Sequence, residues 1–444
     1  MRKTLQIIMM KYFVLTVLVS LSYVTSSVAQ SGTNSPYSQY GLGKLSEQST
    51  GLSRGMNGVG IAFREHNHVN YLNPASYSCV DSLTFIFDIA MSLQKTNFKE
   101  NGKSKNANNG DFEYAVATFR AKKNLGISFG LMPYTNVGYN YSSSSSITVP
   151  MGLDNDYLKE ITSTNTFSGS GGLHQIYIGA GWSPVKSFSI GVNVNYLFGN
   201  ATNEVDNTFS DANVKPLTYL YYTRVNSLKL DFGVSYTHVI DKKRQVTVGL
   251  TYTPGHKLGT DSECSIISGS STSVRDTTVY VANNAFAIPT QLGIGFSYKY
   301  ENKWLLGFDY TLQKWASIES VAYVKDGVTF AMSDAFSNRY KVNFGGQYCQ
   351  NEYGRSFTDR LRYRFGIGYS SSYLKINGKD GPSEFSLSAG VGIPIMNNWN
   401  NRSILNVGVQ WQHANAKQLV RENTFLINVG ITFNEGWFKK WKFD

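Results

Sequence analysis

The chain has 444 residues, of which 41 are basic and 30 acidic, giving a net charge of +11. The charges are dispersed and no reading motif accompanies them, which argues against nucleic acid as a partner. Three cysteines cannot make a disulfide framework, though Cys79 and Cys349 fall on the same predicted side of the molecule, where one bridge is conceivable.

Residues 1–29 carry Arg2, Lys3 and Lys11, then the apolar run from Tyr12 to Leu21, then Ser27-Val-Ala29. A basic start, a short apolar stretch and a small-residue site predict a secretory signal peptide cleaved near Ala29. The apolar stretch is shorter than the roughly 20 residues that a spanning helix needs. No Cys follows Ala29, so lipoprotein processing is not expected. Removing this segment leaves 38 basic against 30 acidic residues, a balance of +8 that suits anionic lipid phosphates or anionic solutes.

Residues 30–82 show no strand alternation. They hold Gly41, Gly43, Gly51, Gly55, Gly58 and Gly60, then Asn73-Pro74-Ala75, together with apolar residues such as Tyr37, Leu42, Met56, Ile61 and Phe63 that need burial. The segment is therefore expected to fold into the lumen of whatever follows it, its glycines allowing tight turns. They do not form a nucleotide loop, because no strand-to-helix context surrounds them.

From 83 to 433 the pattern changes to period two. Leu83, Phe85, Phe87, Ile89, Met91 and Leu93 share one face and Thr84, Asp88, Ser92 and Gln94 the other; Phe188 to Phe198 and Leu228 to Tyr236 repeat it. About fourteen such runs of roughly ten residues predict an all-β, transmembrane antiparallel barrel, since a lipid-facing strand shows hydrocarbon on alternate residues only. The expected strands are 83–95, 111–120, 125–141, 172–183, 187–203, 219–239, 245–257, 286–300, 303–315, 337–348, 361–374, 383–395, 402–413 and 424–433. Short turns at 121–124, 184–187, 241–244 and 301–303 alternate with long connections near 142–171, 204–218 and 258–285, as periplasmic turns alternate with outer loops. Asp326-Gly327 and Asn377-Gly378 signal hairpin turns within the later loops, and Ser142 to Ser146 reads as solvated loop. Tyr196, Tyr236, Tyr252, Tyr298, Trp304, Tyr348, Tyr369, Trp411 and Phe433 fit interfacial girdles. Residues 434–444 mix aromatics with lysines and read as an anchor at the periplasmic headgroups.

Gly55-Met-Asn-Gly-Val-Gly-Ile-Ala62 followed by Asn73-Pro74-Ala75 resembles the hatch of the FadL-type long-chain fatty acid and aromatic hydrocarbon transporters. Ile288 to Tyr298 with Trp304 to Trp315, Tyr340 to Tyr348, and the ending Val429-Gly-Ile-Thr-Phe433 are similar to strands of that family. The resemblance implies a 14-stranded barrel with an N-terminal hatch and a kinked third strand that opens laterally into the membrane. Met132-Pro133 falls in the third strand here, so Pro133 to Gly138 is either such a gap or an ordinary bulge. It also implies a monomeric outer-membrane channel for hydrophobic or amphipathic small molecules, worked by hatch rearrangement. The alternative on the same fold is an accessory barrel of protein secretion, or a surface scaffold, without small-molecule transport. Expected partners are outer-membrane lipid and lipopolysaccharide, a hydrophobic ligand and the barrel-assembly machinery.

By register, Arg339, Lys341, Arg362, Arg364 and Asp309 face the lumen. They either hold a ligand carboxylate or pair internally with acids such as Asp309, Asp231 and Asp88. Phe119, Leu305, Trp315 and Leu426 are apolar lumenal candidates, for a ligand or for the hatch. The six histidines are scattered without a nucleophile-and-base spacing, and His66-Asn-His68 alone makes a weak metal site, so neither catalysis nor a cofactor is expected.

Overall fold

The computed structural model describes residues 32–436, except 152–156, 212, 270–275, 284, 320, 327, 332–334, 377, 396–402 and 417–418. The predicted signal peptide, Gly327, Asn377 and the tail beyond Gly436 lie outside the described residues.

Fourteen antiparallel strands form a closed barrel: β1 Thr84–Glu100, β2 Lys103–Lys122, β3 Leu125–Met151, β4 Tyr157–Val185, β5 Phe188–Phe209, β6 Leu217–Val239, β7 Arg244–Thr253, β8 Gln291–Tyr300, β9 Trp304–Gln313, β10 Arg339–Cys349, β11 Arg362–Ser370, β12 Ser383–Ile395, β13 Ser403–Asn415 and β14 Arg421–Gly436. Closure comes from β1 on β14, paired from Thr84↔Gly436 to Lys99↔Arg421. Alternation decides which side each residue faces. Met91, Leu93, Ile176, Ile178, Phe232, Ile294, Phe296 and Val429 are exposed on the outside, whereas Asp88, Ser92, Gln175, Asn193 and Asp309 are buried inside. Such an apolar outer band is stable only against hydrocarbon. Tyr236, Tyr252, Trp304, Tyr369 and Trp411 are exposed on the same outer surface.

The strands on the first half of the wall run further outward than their apolar pattern. Ser142 to Ser146, expected as loop, belong to β3 and pair with Thr162 to Thr166 of β4. Polar residues in a strand above the bilayer need not alternate, because both faces meet water, so the sequence carries no period there. Above the barrel, strand Thr260–Ser268 takes over from β7 as the partner of β6, from Thr260↔Val225 to Ser268↔Leu217. It pairs in turn with Asp276–Asn283. The result is an outer sheet standing on one side of the mouth.

The segment before β1 packs against inward-facing wall residues. It contains 3-10 turns at Pro36–Gln39 and Pro74–Cys79, a helical turn at Gly51–Arg54 and the two-residue strand Lys44–Leu45. Met56, Val59, Ala75, Tyr77 and Phe63 are all buried. Cys79, Cys264 and Cys349 are free thiols, so the conceivable Cys79–Cys349 bridge is not formed.

Candidate functional site

The plug sits with its backbone directly on the wall. A Cβ at Gly191 would lie 2.3 Å from the carbonyl carbon of Pro74, one at Gly249 2.1 Å from the Ile61 oxygen, and one at Gly366 2.4 Å from the carbonyl carbon of Met56. Only glycine permits these approaches. Sequence reasoning placed the important glycines in the plug and missed these partners. Their signal was glycine recurring at lumen-facing positions of strands, where it otherwise weakens a sheet.

Side chains then fix the plug in place. Asn73 accepts from the Ala75 N–H at 3.1 Å, capping the turn Pro74–Cys79, and its amide donates to Ile61 O at 2.7 Å and to Val234 O of β6 at 3.1 Å. The Gly60 and Ile61 N–H groups donate to Asp309 of β9 at 2.6 and 2.9 Å. Gly58 has φ +80°, next to Asn57 at +57°, a left-handed pair that turns the motif. Gly55 O accepts from Ser388 at 3.2 Å. On one wall Lys341 reaches Glu47 at 2.5 Å. Burial works against ionising Glu47, but the charges of Lys341 and Arg54 prevail and hold its carboxyl below the usual value. His66 turns to Asp81 at 3.0 Å and His68 to Arg362 at 3.3 Å, so the two do not converge on a metal. Burial, reinforced by Arg362 and Arg364, keeps His68 well below the usual imidazole value and therefore neutral.

Among the described residues the wall is interrupted between β2 and β3. The β2–β3 ladder runs from Lys122↔Leu125 to Ala115↔Leu131 and stops halfway up the apolar band, while β3 continues with β4 to Met151↔Tyr157. A bulge flanks the end of the ladder on each strand. In β2 the register skips Glu113, between Ala90↔Tyr114 and Met91↔Phe112; in β3 it skips Tyr134, between Pro133↔His174 and Thr135↔Leu173. Each bulge bends its strand. Glu113 is turned inward by its bulge and pairs with Arg54 of the plug, both side chains under one-tenth exposed. Beyond the bulge in β3, Lys44–Leu45 pairs as a strand with Asn136 and Thr135. Ser46 N–H donates to Tyr134 O at 3.0 Å, Gln48 to Pro133 O at 2.9 Å, and Gly138 N–H to Ser38 Oγ at 3.1 Å. The plug thus occupies the edge that β2 vacates. Pro133 was legible as a break; nothing in the sequence marked Lys44–Leu45 as the strand that fills it.

At the outer mouth, Tyr37 and Leu42 of the plug pack with Leu173, Leu258, Trp315 and Tyr373 in a buried apolar cluster. Below it a polar cavity of about 190 Å³ is lined by Glu47, Tyr71, Lys229, Asp231, Arg339 and Lys341, among others. Of the predicted lumenal residues, Arg339, Lys341 and Asp309 share this cavity. Arg362 pairs instead with Glu352 of the β10–β11 connection and meets His68 of the plug, and Arg364 bonds to Gln347 and Asn406 of the wall and to Gly51 O of the plug. Leu305 packs on Met56, Val59 and Phe63 of the plug, and Leu426 is buried between Gln94 and Gln410. Trp315 lies in a 3-10 turn past the end of β9, not on the strand. Phe119 is a correction: it stands opposite Phe85, stacked at 6.5 Å between centroids, on the lipid face. The skipped Glu113 shifts the β2 register, so a side assigned from the strand's outer part inverts below the bulge.

A family model described as BamG matches residues 9–444. The chain belongs to the BamG family. No curated protein matches this BamG chain in sequence. Among solved structures it is similar to the Ralstonia pickettii toluene transporter TbuX, with TM-score 0.61, 14% identity, and coverage of 87% of this chain and 98% of that one. A Pseudomonas aeruginosa FadL homologue gives 0.62, 12%, 88% and 99%. The Pseudomonas putida toluene transporter TodX gives 0.58, 12%, 89% and 100%. At these identities the likeness establishes the fold: this BamG chain is a FadL-like barrel.

Proposed function

We propose that the chain is an outer-membrane channel that takes up hydrophobic or amphipathic small molecules, fatty-acid-like or aromatic, and releases them laterally between β2 and β3. The observation that carries this reading is the seam, where Lys44–Leu45 of the plug, and not β2, pairs with β3 in the outer half of the apolar band. A ladder closed by neighbouring strands is hard to open, whereas one closed by two plug residues opens when the plug shifts. The apolar cluster around Tyr37, Leu42 and Trp315 is buried, and a hydrophobic ligand would enter by parting it. Arg339 lines the cavity beside Lys341 and forms no ion pair among the described residues, which supports a role in meeting a ligand carboxylate. The solved relatives described as toluene transporters support transport over catalysis. The protein acts as a monomer, in contact with lipid and lipopolysaccharide.

The family match favours a second reading. The name BamG points to the barrel-assembly machinery, and the polar, densely bonded plug seat suits an accessory barrel that transports nothing. Uptake of radiolabelled long-chain fatty acids and toluene by a deletion strain separates the two. Channel function requires a defect restored by the parent gene; unchanged uptake together with defective assembly of other barrels supports the accessory role.

A further inference from the structure

Above the seam, among the described residues, no strand covers the outer edge of β3. From Tyr139 to Ile147 it pairs with β4 alone, from Tyr139↔Gly169 to Ile147↔Ile161, because β2 has diverged from it. Exposed edges are normally defended by lysine, proline or a bulge. The fifteen residues from Thr135 to Val149 include no charged residue and no proline. The backbone contacts of Tyr134 and Gly138 with the plug fix which positions point outward, so Asn140, Ser142, Ser144 and Ser146 turn their N–H and C=O groups away from β4. The edge accepts strands: Lys44–Leu45 already adds to its lower end. Facing it across an open groove of about 1140 Å³ is the β1–β2 hairpin, with Lys99, Lys103 and Lys105 against the single acid Glu100. None of these lysines forms an ion pair among the described residues.

We propose that this edge receives an extended acidic segment of a partner protein as an added strand on the outer surface. Backbone hydrogen bonds to Asn140 through Ser146 provide the affinity, and the lysine rim selects acidic side chains. Nine residues of edge span roughly 30 Å, ample for such a segment. The proposal does not depend on passage through the seam.

The test uses the purified full chain in detergent and a fluorescent twelve-residue peptide alternating Glu and Val, read by anisotropy. Ser144→Pro removes an outward-facing donor while leaving the β4 ladder intact, and Lys103→Glu with Lys105→Glu reverses the rim. Saturable binding, weakened at least tenfold by either change and absent for a Lys-Val peptide, is expected. No binding of the Glu-Val peptide, or binding to either the Ser144→Pro or the rim variant as tight as to the parent chain, overturns the proposal. Binding of lipopolysaccharide that needs the lysines, with peptide binding indifferent to Ser144→Pro, assigns the rim to lipid phosphates and also overturns it.

Discussion

The wall of this barrel is built in two ways. From β3 round to β14 and β1, each strand pairs with the next strand of the barrel, the outer half of β6 with Thr260–Ser268, and the plug rests on that wall through glycine contacts such as Gly191 on Pro74. Between β2 and β3, strand pairing gives way halfway and the plug itself completes the structure through Lys44–Leu45 and the Arg54–Glu113 pair. The difference teaches that one segment serves as filler on one side and as wall on the other. A shift of the plug would therefore have unequal consequences under the proposed mechanism: on the continuous side it would uncover a cavity, at the seam the membrane.

The largest expected effect lies at the seam. Removing one partner of the buried Arg54–Glu113 pair strands the other charge, so Arg54→Met should destabilise the seated plug by roughly 3–5 kcal/mol. Pairing it with Glu113→Leu should recover most of that loss. Thermal unfolding in detergent, with protease cleavage of the plug as a second readout, checks both; equal loss in the single and double variants would show that the pair is not what anchors the seam. Gly191→Val tests the other side, forcing Pro74 off the wall at a cost of about 3 kcal/mol, the upper range for overpacking. Its plug should become protease-sensitive near Pro74 while the Lys44 region stays protected, and a uniform loss of protection would erase the distinction between the two sides.

A smaller effect concerns pH. His68 is held below the ordinary imidazole value when the plug is seated, so the released plug binds the extra proton. Stability from this group is complete above the unperturbed value of about 6.5 and is lost as pH falls below it. Glu47 is shifted down, so its contribution is present above the ordinary carboxylate range and is lost only as pH falls through its lowered value. Plug protection should therefore fall first below about pH 6.5 and again in the acid range. His68→Gln should remove the first step and Lys341→Ala the second, read by proteolysis across a pH series. The smallest effect is expected in the turn after β6, where the Asp241–Arg244 pair is exposed and Asp241→Asn should leave the unfolding midpoint unchanged.

Much of this was legible in the sequence because bilayer strands must alternate. Met91 and Leu93 stay outward, Asp88 and Ser92 inward, and the even strand number closes the sheet. Met56, Ile61 and Phe63, which the sequence marked as needing burial, are buried. What failed to show was whatever lacks a period. Ser142 to Ser146 form strand without apolar alternation, and Phe119 inverted because a bulge at Glu113 leaves no mark in the residue pattern. Lys44–Leu45 was invisible for a different reason, since a two-residue strand is defined by the edge it meets and not by its own composition.

In the proposed mechanism the plug closes the seam and leaves it for a ligand to pass. Leu45 and Thr135 are directly opposed, at a separation suited to a disulfide. Leu45→Cys with Thr135→Cys, oxidised in cells, should abolish toluene uptake, and reductant should restore it. Uptake at the parental rate with the bridge fully formed would contradict the account.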